Sequence, residues 1–181
     1  MKSIWLWLAL ALVVVGIDQC SKYAVMSGLE LGEQWHVFSL LSFVHVHNDG
    51  AAFSFLSDAS GWQRWAFSLL AVVFSVFLIF ELRKLESRRL DIAALWLGGA
   101  LALILGGANG NLVDRVVHGY VVDFILVHWR EHYFAVFNLA DSAIFLGAVL
   151  WIGHIFLVGE PPARDRSGTA AAADSRGAAQ D

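Results

Sequence analysis

The chain has 181 residues, of which 58% are hydrophobic and 15% charged, with a net charge of −4 and a mean hydropathy of +0.63. This balance argues against a water-soluble globule and fits one domain or a single small helical bundle. A single cysteine, Cys20, rules out an internal disulfide.

Residues 4–25 open the chain as a predicted first span. The uncharged run IWLWLALALVVVGI follows Lys2 as in a secretory leader, but no small-x-small cleavage site comes directly after it. Asp18 and Gln19 also occupy the places that a lipoprotein-type reading of Cys20 would need filled by small residues. The helix is therefore expected to continue to about Val25, the length a membrane crossing needs. Asp18 and Lys22 are four apart and share a face. Two readings stay open: an ion pair at the membrane surface, or a pair turned toward a site. Residues 26–61 contain no Lys or Arg. Val44 and Val46 alternate with His45 and His47, and Asn48-Asp49-Gly50 is a turn signal. A small antiparallel sheet at the membrane surface is expected here. Ala51-Ala52-Phe53 suggests close packing after the glycine, with Phe53 and Phe55 dipping into the interface.

Residues 62–82 form the second predicted span, anchored by Trp62, Arg64 and Trp65. The loop 83–91 carries Arg83, Lys84, Arg88 and Arg89, which the positive-inside rule makes cytoplasmic. By alternation the N-terminus is also cytoplasmic, and 26–61 lies outside. A third span is predicted at 92–109, with Gly98, Gly99, Gly106 and Gly107 allowing close helix approach. Residues 110–133 form a second outer segment, and a fourth span is predicted at 134–158. Asp141 would lie about two turns into that helix, with Asn138 three residues before it on the same face. His154 reads as a packed or interfacial histidine near the inner end. After Glu160-Pro161-Pro162, residues 161–181 read as a disordered cytoplasmic tail. The expected fold is an all-α polytopic membrane protein: four transmembrane helices and a small β-sheet and loop subdomain at the outer face.

The stretch from Gly106 to Asp141 sets Asn109, Asn111, Asp114, Arg115, Asp123, Asn138 and Asp141 between apolar runs. Each Asp or Arg at a helix centre costs roughly 2.5–3.5 kcal/mol on insertion scales, so these groups must serve each other or a ligand. Asp123 lies in the apolar context VVDF, 18 residues before Asp141. That separation lets the chain leave the membrane and return, bringing both carboxylates into one partly dry pocket. Such a pair shares a proton. One member can then take a proton from water while the other polarises a carbonyl, which is amide hydrolysis without metal or nucleophile. Arg115 and the asparagines would orient substrate or meet developing charge. The competing reading is a polar network that only ties helix ends together. His128-x-x-Glu131-His132 matches a zinc-peptidase pattern, but it lacks a convincing third ligand and reads better as an interfacial loop with aromatic anchors. Transport is disfavoured, since the inner halves of the later spans hold no acidic path. Nucleic-acid binding finds no basic patch outside the cytoplasmic loop.

Asp18-Gln19-x-x-Lys22, Asn48-x-Gly50-Ala51-Ala52-Phe53, GGANGNLVDR, VVDF and FNLAD occur in that order. In this the chain resembles the bacterial lipoprotein signal peptidases, signal peptidase II, over residues 18 to about 145. The resemblance implies an aspartyl endopeptidase of the bacterial inner membrane with catalytic Asp123 and Asp141. Its substrates would be prolipoproteins whose Cys carries a diacylglyceryl group, presented among membrane lipids. Asp114, Arg115, Asn111, Asn138 and Asn48 match site-lining positions of the family, and Asp18 and Lys22 match a motif at the outer end of the first helix. No metal or other cofactor is implied, and four spans with one site need no partner subunit.

Overall fold

The computed structural model describes residues 3–50, 61–87, 91–129 and 132–158. Lys2, the segment 51–60 with Phe53 and Phe55, Arg88 and Arg89, Arg130 and Glu131, and the polar tail lie outside the described residues. Four long helices and four strands follow in the order α1 (Ser3–Gly28), β1 (Gln34–Phe38), β2 (Leu41–Asn48), α2 (Trp62–Lys84), α3 (Ile92–Val117), β3 (Val121–Trp129), β4 (His132–Phe137) and α4 (Leu139–Val158). All four helices are long and apolar enough to cross a membrane. The strands form one antiparallel sheet in the order β1-β2-β3-β4.

α3 is the central helix and packs against α1, α2 and α4. Asp91 starts it, its side chain accepting from the Ala94 N–H at 2.8 Å, one of the N–H groups a helix start leaves without a partner. Close crossing needs small residues. A Cβ on Gly107 would overlap the Ala140 carbonyl of α4, and one on Gly106 would come 2.7 Å from the Ala11 carbonyl of α1. The apolar core lies at the end of the bundle away from the sheet. There Trp7 and Ala11 of α1 meet Leu78 and Leu82 of α2 and Leu101 and Ile104 of α3. His154 is buried there with its ring edge-on to Trp96. The outward faces of α2 and α4 are apolar and exposed, as at Leu69, Val73, Phe145 and Ile152, which suits hydrocarbon rather than water.

α1 and α2 run two to three residues past their predicted ends, to Gly28 and Lys84, and the larger differences from the sequence reading lie in the second half of the chain. α3 does not end at 109 but continues to Val117, because Asn111 and Asp114 find partners on neighbouring elements and give the helix no reason to stop. The fourth helix begins at Leu139 rather than at 134, and Asp141 is its third residue instead of lying two turns in. Residues 132–137 are β4, paired with β3 through Ile125↔Phe137 and Val127↔Ala135. The segment read as an outer loop around His128 is therefore half of the sheet, and only β1 and β2 come from 26–61. A hairpin of aromatic and β-branched residues can satisfy its backbone only by pairing, and the partner of β3 on its other side is β2, some 80 residues earlier in the chain.

Candidate active site

The polar residues gather where the sheet meets the helix ends. Asp18 and Lys22, one helical turn apart on α1, point into the bundle, so the pair faces the cluster rather than the surface. Lys22 Nζ lies 2.8 Å from Asp18 Oδ2 and 2.9 Å from Asp114 Oδ2, and it donates to Asn111 Oδ1 at 2.9 Å. All three ammonium protons are used, and the three charged residues are almost fully buried. Such a group survives in a dry site only when every partner is present. Asp18 Oδ1 also accepts from the Ala140 N–H at 2.9 Å, placing a carboxylate on the positive end of α4. Space for this comes from Gly110, where a Cβ would sit 2.6 Å from Asp18 Oδ2.

The second layer holds the two carboxylates singled out from sequence. Asn138 Nδ2 donates to Asp123 Oδ1 at 2.7 Å and to Asn111 Oδ1 at 3.1 Å. Its Oδ1 accepts from the Asp141 N–H at 2.9 Å, and Asp141 Oδ2 accepts from the Asn138 N–H at 3.2 Å. Asn111 Nδ2 donates to Asp141 Oδ1 at 2.7 Å. Asn48 Nδ2 donates to Asp123 Oδ2 at 2.8 Å, while its Oδ1 is held by the Gly50 N–H at 2.9 Å. Gly50 has φ of 92°, and a Cβ there would strike the Phe67 ring, so the turn that aims Asn48 requires glycine. Burial pushes the Asp123 carboxyl up to about 6; the charge of Asp141 adds to this, and the amides of Asn48 and Asn138 work against it. Next to Asn48, burial and the neighbouring His45 lower the pKa of His47.

Arg115 lies at the edge, with Nη1 donating to the Asn111 carbonyl at 3.3 Å and the guanidinium 5.4 Å above the Phe67 ring. A groove of about 480 Å³ between α2, α3 and α4 is lined by Phe67, Leu70, Phe74, Asn111, Arg115 and Asp141. The predicted polar residues, Asn109 apart, therefore belong to or border one network. Asn109 donates instead to Ser75 Oγ and the Leu105 carbonyl, tying α2 to α3. Gln19 was missed. Its Nε2 donates to Asp114 Oδ1 at 2.8 Å and to the Gly110 carbonyl at 3.1 Å. Neighbours in sequence do not share a helix face, so spacing to Asp18 gave no hint, although Gln19 stands inside the Asp18–Lys22 motif. In the zinc-like pattern, buried His128 bonds Ser42 Oγ through Nε2 at 2.8 Å, and His132 is exposed on β4. Among the described residues, no three His, Cys, Asp or Glu side chains converge as a metal ion would need.

A family model described as signal peptidase (SPase) II matches residues 10–157. The chain belongs to the signal peptidase II family. It is 51% identical over 148 residues to a lipoprotein signal peptidase of Pseudomonas putida, covering 81% of this chain and 82% of the relative. With a lipoprotein signal peptidase of Shewanella baltica it shares 47% over 156 residues, covering 86% and 87%. Two solved structures of bacterial membrane enzymes, obtained by the in meso method, share the fold. One has a TM-score of 0.70 at 25% identity, covering 88% of this chain and 93% of the other. The second has a TM-score of 0.70 at 28% identity, covering 83% and 92%. A signal peptidase II is a peptidase, and with four apolar helices this one is a multi-pass membrane protein.

Proposed function

We propose that the chain is an aspartyl endopeptidase that cleaves the signal peptide from diacylglyceryl-modified prolipoproteins, just before the lipidated Cys. The observation that carries this reading is the Asn138 side chain, bonded to both Asp123 and Asp141. Asp141 in turn lines a groove that also holds Arg115 and the apolar side chains Phe67, Leu70 and Phe74 of α2. The relatives' description as lipoprotein signal peptidases supports the substrate class.

In this reading Asp123, whose carboxyl burial pushes up to about 6, serves as the acid, and Asp141, in the first turn of α4, as the base. Water attacks the scissile carbonyl carbon and gives a proton to Asp141, while Asp123 gives its proton to the carbonyl oxygen. The resulting diol collapses: the C–N bond breaks, Asp141 protonates the leaving nitrogen, and a hydroxyl proton returns to Asp123. Both carboxyls end as they began. Asn48 and Asn138 hold Asp123 in place, Asn111 holds Asp141, and Arg115 offers N–H donors to peptide carbonyls in the groove. The Asp18–Lys22–Asp114 cluster positions α4 from behind. The scissile bond lies close to the lipid anchor, so a site at the outer surface of the inner membrane fits it, with both termini cytoplasmic. Every side chain this mechanism uses comes from one chain, which supports action as a monomer.

Purified enzyme with diacylglyceryl-modified prolipoprotein tests this. Asp123→Asn and Asp141→Asn should each lower turnover by at least ~1,000-fold while the variants stay folded, the scale of removing a catalytic acid or base. Near-normal turnover by either folded variant overturns the assignment.

A further inference from the structure

Asp141 is a wall of two grooves. Besides the one toward Arg115, a groove of about 390 Å³ opens on its other side, lined by Phe137, Asp141, Ser142 and Phe145. Ser142 turns its hydroxyl back to the Asn138 carbonyl at 2.9 Å, so among the described residues lining this space the Asp141 carboxylate is the polar group that faces it. From Ser142 the positions Phe145, Val149, Ile152 and Phe156 follow at spacings of three and four and share one helix face. All four side chains are exposed, Phe145 at 72% and Phe156 at 81%. They make an apolar track about 21 Å long on the outside of α4, running from Asp141 toward the far end of the helix.

We propose that this second groove and the track below it take the acyl chains of the substrate's diacylglyceryl group, leaving the Arg115 groove for the signal peptide. The inference rests on the proposed substrate class and adds which side of Asp141 reads the lipid. The division follows from chemistry. A peptide strand near a scissile bond carries carbonyls that need N–H donors, and only the first groove offers a guanidinium. Acyl chains need no hydrogen-bond donor and a surface that continues into hydrocarbon; the second groove has neither guanidinium nor side-chain amide among its described lining residues and leads onto the exposed apolar stripe of α4. The lipidated Cys, joined to the signal peptide at the scissile bond, then straddles Asp141, with its lipid on one side and its peptide on the other.

A prolipoprotein peptide carrying a photoactivatable diazirine midway along one acyl chain provides the test. It is bound to full-length Asp123→Asn enzyme in lipid nanodiscs, irradiated, and the labelled residues are mapped by mass spectrometry. The expected labels are on Phe137, Ser142, Phe145 and Val149, lost on competition with unlabelled lipidated peptide. Labels on Phe67, Leu70 or Phe74 would reverse the assignment, and labels spread around all lipid-facing surfaces, unchanged by competition, would remove it. As a second reading, Phe145→Glu at this exposed position should raise KM for the dipalmitoyl substrate at least fivefold, with a smaller change in kcat. An unchanged KM in folded protein also overturns the proposal. The cleavage mechanism fails separately: competed label on α4 together with normal turnover by Asp123→Asn would remove the two-aspartate reading and leave the lipid track standing.

Discussion

Asn138 and Asp141 cap each other. The Asn138 side-chain oxygen accepts from the Asp141 N–H at 2.9 Å, and an Asp141 carboxylate oxygen accepts from the Asn138 N–H at 3.2 Å. This is a capping box with Asn and Asp in place of the usual Ser or Thr and Glu. Its consequence here exceeds helix stability, because the free amide protons of Asn138 reach Asp123 at 2.7 Å. One side chain thus ends a strand connection, starts α4 and sets the spacing of the two carboxylates.

Asn138→Ser separates those roles. The serine oxygen can still accept from the Asp141 N–H and keep the cap, while the loss of the buried Nδ2 bonds to Asp123, Asn111 and the Val122 carbonyl should lower stability in detergent by about 1–3 kcal/mol. The bond to Asp123 is lost, and turnover should drop at least ~100-fold. Asn138→Ala loses the cap too and should cost a further ~1–2 kcal/mol. Equal activity of Asn138→Ser and the parent enzyme would show that Asp123 does not depend on this amide.

The raised carboxyl of Asp123 has a definite sign in pH. Its folded value of about 6 lies above the ordinary value of 3.8, so the folded state holds the proton more tightly. That contribution is complete below about pH 4 and is lost as pH rises through about 6, at a cost of up to about 3 kcal/mol. Asp123→Asn, which cannot ionise, should gain in melting temperature relative to the parent enzyme as pH goes from 4 to 8. Intrinsic tryptophan fluorescence on heating can follow it. A melting-temperature difference independent of pH would contradict the burial argument. Parent turnover should also decline above about pH 6 as Asp123 loses its proton.

Lys22 neutralises two buried carboxylates at once. Lys22→Met leaves Asp18 and Asp114 unpaired beside each other and should destabilise by about 3–5 kcal/mol, enough to abolish recovery of folded protein. Adding Asp114→Asn removes one of the stranded charges and should restore part of the yield. If the double variant recovers no better than Lys22→Met, charge stranding is not the cause.

Helix approach gives a paired test. Gly107→Ala forces a methyl group against the Ala140 carbonyl and should cost ~1–3 kcal/mol, as overpacking does. Its loss of turnover should exceed what stability explains, since the displaced residue precedes Asp141. At Gly99 an added Cβ meets nothing within 4 Å, and Gly99→Ala should be neutral or slightly stabilising. Equal effects at both positions would refute close packing at Gly107.

The sequence by itself determined that four apolar runs must cross a membrane, and that polar groups kept beside them need partners. It also marked Asp123 and Asp141, because an Asp amid VVDF and another expected two turns inside an apolar helix are costly alone. These are local properties, carried by composition and spacing over a few turns. Only the tertiary structure decided which partners the polar groups take. Asp18 bonds a backbone N–H 122 residues away, β2 pairs with β3 across two intervening helices, and Gln19 reaches α3 beside a motif that spacing did not assign to it. α3 outran its predicted end for the same reason: Asn111 and Asp114 look like helix-ending polar residues until Lys22, Asn138 and Val122 satisfy them from other elements. Hydrogen-bond satisfaction in a dry site belongs to the assembled set of elements, and no single segment carries it.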